Sequence, residues 1–281
     1  MHIFKEIAPL RAYLNKQRLA QSTIGLVPTM GALHEGHLSL IRASKKENSV
    51  TVCSIYINPA QFGNKEDLNA YPRTLDADVS VLEKEGCEIV FAPSNEVIYG
   101  SGGMLHFDFG NLDKVLEGAF RPGHFSGVAL VVSKLFNITE PDCAYFGQKD
   151  FQQFMIVSHL VDALKFKVQL SCQPIVREKD GLAMSSRNQR LSPEGRKKAA
   201  VLHTSLLIAR DGLLGGKSFA AMQDEVRDRC SQQGAMLEYL ALVDKREFSV
   251  VDRVIAPEHI VILLAAQVEA VRLIDNLLLH P

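Results

Sequence analysis

The stretch Val27-Pro28-Thr29-Met30-Gly31-Ala32-Leu33-His34-Glu35-Gly36-His37-Leu38-Ser39-Leu40 lies between two segments of different periodicity. Upstream, Ile24 to Val27 is a short apolar run that reads as a buried strand. Downstream, Leu38, Ile41 and Ala43 recur among polar residues, as on an amphipathic helix. The stretch is therefore a strand, a glycine-containing turn and a helix start. A helix start presents unpaired backbone N–H groups and a partial positive charge, which suits an anion. That dipole contributes only about 0.3–1 kcal/mol, so a polyphosphate needs further donors. His34 and His37, three apart on one helix face, can supply them. Gly36 between them leaves room for a flat ligand to approach the backbone. A bare pair of this kind also fits a capped helix with surface histidines. A zinc reading fits less well, because the metalloprotease pattern sets its histidines four apart with a glutamate between them.

Working outward, strands and helices alternate. Val50 to Ile57 is a dense β-branched run, as in a strand buried on both faces, and it ends at the loop Asn58-Pro59-Ala60-Gln61-Phe62-Gly63. Leu75 to Glu85 reads as a helix with Leu75, Val79 and Leu82 on one face, and Glu88 to Phe91 as the next strand. Tyr99 to Gly103 reads as a plain loop and Leu105 to Phe109 as an edge strand. A helix from Val128 to Asn137, a strand from Cys143 to Phe146, the turn Gly147-Gln148-Lys149-Asp150, a helix from Phe151 to Leu164 and a strand from Lys167 to Ser171 complete this half. The alternation predicts an α/β fold, a Rossmann-like, doubly wound parallel sheet over residues 1–174. Ligands of such sheets bind beyond the carboxyl ends of the strands.

After Pro174 the pattern changes. Ile175 to Asn188 is polar and reads as a connecting loop. Ser192-Pro193 is a helix start with proline at the first position. Helices to about Arg210 and over Phe219–Cys230, then strands at Tyr239–Val243, Ile260–Ala265 and Val271–Ile274, predict a smaller C-terminal α+β domain over 175–281, placed to act as a lid. Gly216-Lys217-Ser218 is a fragment of a P-loop without its upstream glycine, and reads as a hinge between helices.

Composition sets the class. The 281 residues are 47% hydrophobic and 22% charged, as in a soluble globular protein. Lys+Arg 31 against Asp+Glu 32 gives a net charge of -1, with no global pull toward nucleic acid or a membrane surface. No apolar stretch reaches the roughly 18 residues of a membrane span, and no signal peptide is evident. The five cysteines are scattered without C-x-x-C spacing, as expected of free thiols in a reducing cytoplasm.

Two further clusters join the first. Lys149 at its strand-to-helix turn can place a point charge on a phosphate, and Asp150 can meet a ribose hydroxyl or a magnesium ion. The third cluster is Gly181-Leu182-Ala183-Met184-Ser185-Ser186-Arg187-Asn188. The first stretch resembles the HIGH-type signature of class I nucleotidyltransferases, and the third resembles the KMSKS-type loop of that superfamily, with Met-Ser-Ser-Arg where the general form has lysine. With Asn58–Gly63, Ala70-Tyr71-Pro72-Arg73-Thr74, Arg121-Pro122-Gly123-His124-Phe125, Lys149–Gln153 and, more loosely, Arg272–Asn276, the chain resembles the pantothenate synthetase (pantoate–β-alanine ligase) family.

The resemblance implies an AMP-forming ligase that activates pantoate with ATP as pantoyl adenylate and passes it to β-alanine, releasing AMP and diphosphate. It implies an ATP site made of Met30, Gly31, Ala32, Leu33, His34, Glu35, Gly36, His37, Gly147, Gln148, Lys149, Asp150, Val176, Met184, Ser185, Ser186 and Arg187. Gln61 and Gln153 would hold pantoate, and His37, His34, Lys149 and Arg187 would be the catalytic groups, His37 as the family's proton donor. It also implies Mg2+ accompanying ATP, a homodimer and a cytoplasmic location, with no nucleic-acid or membrane partner. The rival readings are another nucleotidyltransferase of the same superfamily, with a different acceptor, and a nucleotide-sensing protein on the same fold.

Overall fold

The structure is a computed structural model that describes residues 1–102 and 105–280. It divides into two units. The first comprises Met1–Gly147 and Gln152–Pro174, and the second Gln148–Phe151 and Ile175–Pro281. The short segment Gln148–Phe151, read above with the first half, therefore groups with the second unit.

The first unit is built on a six-stranded sheet of β1 (His2–Phe4), β2 (Ile24–Thr29), β3 (Val50–Ile55), β4 (Ile89–Phe91), β5 (Cys143–Gly147) and β6 (Gln169–Gln173). Their order is β1-β4-β3-β2-β5-β6 and every pair is parallel. Alternation along the strands fills two cores. Leu26, Val52, Ile89 and Ala144 face one side, with the helices Ile7–Leu19 and His124–Thr139. Val27, Cys53, Val90 and Tyr145 face the other, with Leu40 and Ile41 of helix Glu35–Glu47 and Leu82 of helix Leu75–Lys84. Both faces of the central strands are covered, which is why Ile24–Val27 and Ile89–Phe91 are buried throughout.

From β2 the chain first winds outward through β3 and β4, and β5 then takes the other side of β2. The order reverses between β2 and β5, and the crevice at the carboxyl ends of those two strands is the place such folds reserve for a ligand. The Met30–His37 segment leaves β2 there, and Gly147 ends β5 there.

Leu105–Phe109 is not a strand. Its aromatic residues do the work of core filling instead: Phe107 and Phe109 stack on each other and pack on the first core, and the Phe107 N–H donates to Ser126 Oγ rather than to a sheet partner. Tyr99 ends a short helix, Asn95–Tyr99, and Gly103 of the expected loop lies outside the described residues.

The second unit has an antiparallel sheet, β10-β9-β7-β8, formed by β7 (Ala235–Asp244), β8 (Ser249–Val251), β9 (Ile260–Val268) and β10 (Val271–Leu278). The helices Pro193–Ala199, Val201–Leu214 and Phe219–Gln232 cover one face through Leu202, Leu206 and Val226. Ser192 caps the first of them by accepting from the Gly195 N–H. Ser218 caps the third by accepting from the Ala221 N–H, so the Gly216-Lys217-Ser218 fragment is a helix cap. The strand Ser249–Val251 was not anticipated; at three residues it is too short to carry a pattern.

Gly127, on helix His124–Thr139, allows the closest packing near the sheet's carboxyl edge: a Cβ there would come within 2.3 Å of the Ala60 carbonyl oxygen and 2.7 Å of the Gln61 nitrogen, both rigid backbone. Gly127→Ala is expected to lower stability by about 1–3 kcal/mol, the usual effect of overpacking, read as a lower urea midpoint without a change in slope.

Candidate active site

The turn after β2 runs through two consecutive residues with left-handed backbone, Gly31 at φ 81° and Ala32 at φ 50°. Ala32 is held in this unfavourable region from outside. The carboxylate of Asp78, buried on helix Leu75–Lys84, accepts from the Ala32 N–H at 2.9 Å and the Leu33 N–H at 2.8 Å. Thr74 Oγ1 donates to the same group at 3.1 Å. Thr29 Oγ1 accepts from the Gly31 N–H and itself donates to the Ser54 carbonyl. Sequence reasoning missed Asp78, although a signal was there. It falls three residues after Leu75 and one before Val79, on the apolar stripe of its helix, where an acid needs a buried partner.

His34 is the N-cap of helix Glu35–Glu47, and His37 is its third residue. The Gly36 N–H donates to His34 Nδ1 at 3.1 Å, and the His34 N–H donates to His37 Nδ1 at 3.3 Å. The rings lie 4.1 Å apart between centroids. Because each Nδ1 accepts, each neutral ring carries its proton on Nε2. This corrects one expectation. The backbone N–H groups of Gly31, Ala32, Leu33, His34 and Gly36 are already bonded within the protein. Side chains, rather than these N–H groups, are therefore what this turn has to meet an anion. Glu35 is exposed and ion-paired with Arg42, which also holds Glu85 at 2.6 Å.

The Asn58–Gln61 loop joins this turn. Asn58 is buried with both ends of its amide satisfied: Nδ2 donates to Gln61 Oε1 at 3.1 Å and to the Gly127 carbonyl at 3.0 Å, while Oδ1 accepts from the Ala60 N–H and the Tyr99 hydroxyl. Burial pushes the Tyr99 phenol up to about 12, so it stays a donor. Gln61 Nε2 reaches Met30 Sδ at 3.2 Å, which brings the Gln61 and Met30 side chains together. The Gln61 carbonyl accepts from His124 Nδ1 at 2.8 Å, and Arg121 donates to His124 Nε2. Each of these partners can play only one role, so His124 is neutral with its proton on Nδ1. Of the adjacent amides on helix Phe151–Leu164, Gln152 is structural: it is buried and bonds Leu112, Val115 and Glu117 backbone. Gln153 beside it is half-buried.

In the second unit, Lys149 is mostly covered, with 18% of its side chain exposed, and its Nζ lies 3.6 Å from Asp150. Residues 176–184 form a short hairpin rather than an open connecting loop. Arg177 and Ala183 form a bridge, the Met184 N–H donates to the Val176 carbonyl, and the Gly181 N–H closes the turn on Glu178. Ser185 then caps a one-turn helix, Ser186–Arg190, by accepting from the Arg187 N–H at 3.2 Å. The hairpin leaned on a partner that local sequence does not reveal, Asp275, which Arg177 grips with both arms at 2.6 and 3.0 Å. Among the described residues, no three His, Cys, Asp or Glu side chains gather into a metal site. No helix there is long and apolar enough to cross a membrane.

A sequence profile described as pantoate-beta-alanine ligase matches residues 2–278. The chain belongs to the pantoate–β-alanine ligase family. It is 45% identical over 282 residues to a pantothenate synthetase of Thermoanaerobacter, covering 99% of this chain and 98% of that one. It is 42% identical to the pantothenate synthetase of Cytophaga hutchinsonii, with 97% of each covered. The crystal structure of the Thermus thermophilus pantothenate synthetase superposes with a TM-score of 0.90 at 40% identity, over 100% of both chains. The Francisella tularensis pantoate–β-alanine ligase, described as a complex with β,γ-ATP and β-alanine, superposes at 0.84 with 35% identity, over 99% and 98%. A pantoate–β-alanine ligase is therefore the enzyme class of this chain, on a parallel α/β sheet with a separate antiparallel C-terminal sheet.

Two outcomes are expected. Asp78→Ala leaves the Ala32 and Leu33 donors unpaired, and at about 1–3 kcal/mol for each buried orphan it should lower the urea midpoint well beyond a surface change. His203 supplies a pH test. Burial, then the Arg177 charge, lowers its pKa from the ordinary 6.5, against a smaller opposing pull from Asp275. The unfolded chain therefore takes up a proton before the folded one does, and stability falls as pH drops through 6.5 toward the lowered value. His203→Gln should flatten that part of the melting temperature–pH curve.

Proposed function

We infer that the chain condenses pantoate with β-alanine at the expense of ATP. The single observation that carries this is the reciprocal histidine cap at the end of β2. It fixes the His34 and His37 rings through their Nδ1 atoms, on the same turn whose Met30 side chain meets a carboxamide, Gln61, that Asn58 orients. A carboxylate and an amine do not join unaided in water, so the acid must first acquire a leaving group. In the first step a pantoate carboxylate oxygen attacks the α-phosphorus of ATP and pyrophosphate leaves, forming pantoyl adenylate. In the second, the β-alanine nitrogen attacks the acyl carbon, the bond to AMP breaks, and the amine sheds a proton.

We assign His34, His37, Lys149, Ser185, Ser186 and Arg187 to the charge that grows on the transferring and leaving oxygens. Gln61 and Gln153 are assigned to pantoate, where neutral amides can read hydroxyl and carboxylate groups without adding charge. Met30 to Leu33, Gly36, Gly147, Gln148, Asp150, Val176 and Met184 complete the proposed nucleotide contacts. No protein nucleophile is required, and alignment alone can supply effective molarities of about 10⁵–10⁸ M. The phosphate-facing side chains are cationic or neutral donors, which fits a Mg2+ ion held by phosphate oxygens and water rather than by a protein cage. When bound, that ion supplies further charge neutralisation. The free thiols, three of them buried, support a reducing cytoplasmic setting. A homodimer comes from the family resemblance.

AMP release should require ATP, pantoate and β-alanine together, and pyrophosphate exchange should require pantoate alone with ATP. Exchange without pantoate, or none with it, overturns the reading. Lys149→Ala and His37→Ala are each expected to lower pantoate-dependent exchange by about 10²–10³-fold, as for loss of one preorganised donor, while Gln61→Ala should chiefly raise the KM for pantoate.

A further inference from the structure

The last strand of the second unit carries two consecutive polar residues that are both buried, Asp275 at 2% and Asn276 at 1% exposure. On a strand, neighbours point to opposite faces, so one apolar core cannot account for both. Among the described residues β10 is an edge strand, paired with β9 alone. Each side chain instead closes on a different loop.

Asn276 serves the Lys149 turn. Its Nδ2 donates to the carbonyls of Gln148 and Lys149, both at 2.9 Å, and its Oδ1 accepts from Gln148 Nε2 at 3.0 Å. Asp275 serves the hairpin that leads into Ser185–Arg187. Arg177 holds it with both arms, and the same guanidinium donates to the Gly181 carbonyl at 3.0 Å and the Asn276 carbonyl at 3.2 Å. A planar fork on a buried carboxylate fixes distance and angle together.

We propose that Asp275-Asn276 is a positioning pair that sets the spacing between the Lys149 turn and the Ser185–Arg187 turn, so that both meet one triphosphate. Asn276 acts through the backbone of the Lys149 turn, and Asp275 through the Arg177 side chain of the hairpin that leads into Ser185. The proposal rests on the assignment of Lys149 to the phosphates made above. Chain entropy alone would let these two turns drift independently, since 35 or more residues separate them in sequence. Anchoring both on adjacent residues of one hydrogen-bonded strand removes that freedom before the nucleotide arrives.

The test is a double-mutant cycle on the full chain, read by pantoate-dependent ATP–pyrophosphate exchange. Asn276→Asp keeps the shape and the acceptor but removes both donors. It is expected to lower kcat by roughly 10–100-fold, the scale of a displacement of about 1 Å, with the KM for pantoate unchanged. In a Lys149→Ala background the same change should lower exchange by less than about twofold, because the group it positions is gone. A full N276D effect in that background, wild-type exchange by N276D, or an equal rise in the KM for pantoate overturns the positioning role. Wild-type exchange by K149A instead overturns the assignment it rests on, and the two failures are thereby distinct. Where N276D does not fold, N276S, which is smaller and keeps one hydroxyl donor, enters the same cycle with the same expectations.

Discussion

A buried carboxylate against a strained turn is the interaction on which the first unit's chemistry depends. A residue other than glycine held at positive φ is costly, on the order of 1 kcal/mol or more, and Ala32 would relax if nothing opposed it. Asp78 opposes it with two charge-assisted hydrogen bonds to successive N–H groups. Gly31 is needed for the same reason: a Cβ there would come within 2.9 Å of the Asp78 carboxylate. With the turn held, the helix that follows can start at Glu35 and no later, and His34 falls at the cap rather than within the first turn. The His37 ring then accepts from the His34 N–H and the His34 ring from the Gly36 N–H, which sets their neutral tautomers. Helix, turn and ring protons are thus consequences of one acid.

The backbone N–H groups of Gly31, Ala32, Leu33, His34 and Gly36 are consumed internally, so in the proposed assignment the unit meets an anion with side chains. That is a different design from a glycine-rich phosphate loop, where the main chain itself is the ligand. The permanent cations, Lys149 and Arg187, belong to the other unit. In the proposed assignment, the amides that read the acid and the cations that meet the phosphates therefore belong to separate units of the chain.

The parallel sheet was legible because its information is local. Val50 to Ile55 is apolar on both faces since both faces are covered, and the helix Phe151–Leu164 carries its own periodicity. Leu105–Phe109 misled for the same local reason: alternating aromatics look like a strand, but among the described residues no strand pairs with them, and they fill the core as a loop. The histidines, glutamines and Lys149 were legible as residue types at telling turns. What holds them was not. Asp78 lies more than 40 residues from the N–H groups it binds, and Arg177 lies 98 from Asp275. An acid on a helix and an arginine in a polar loop read as solvated surface until the fold supplies their partners.

The same distinction explains why Ile175–Asn188 seemed a plain connector. A hairpin with few apolar residues has no burial signal of its own, and its register comes from one ion pair to a distant strand. A buried pair of this kind contributes little net stability, because desolvation offsets most of the attraction. What it does contribute is uniqueness of geometry, since the fork accepts only a narrow range of approaches. For a segment proposed to offer Ser185, Ser186 and Arg187 to a triphosphate, geometry matters more than stability. An apolar contact of equal area would hold the hairpin down as firmly but would let it slide along β10, and the proposed phosphate donors would slide with it.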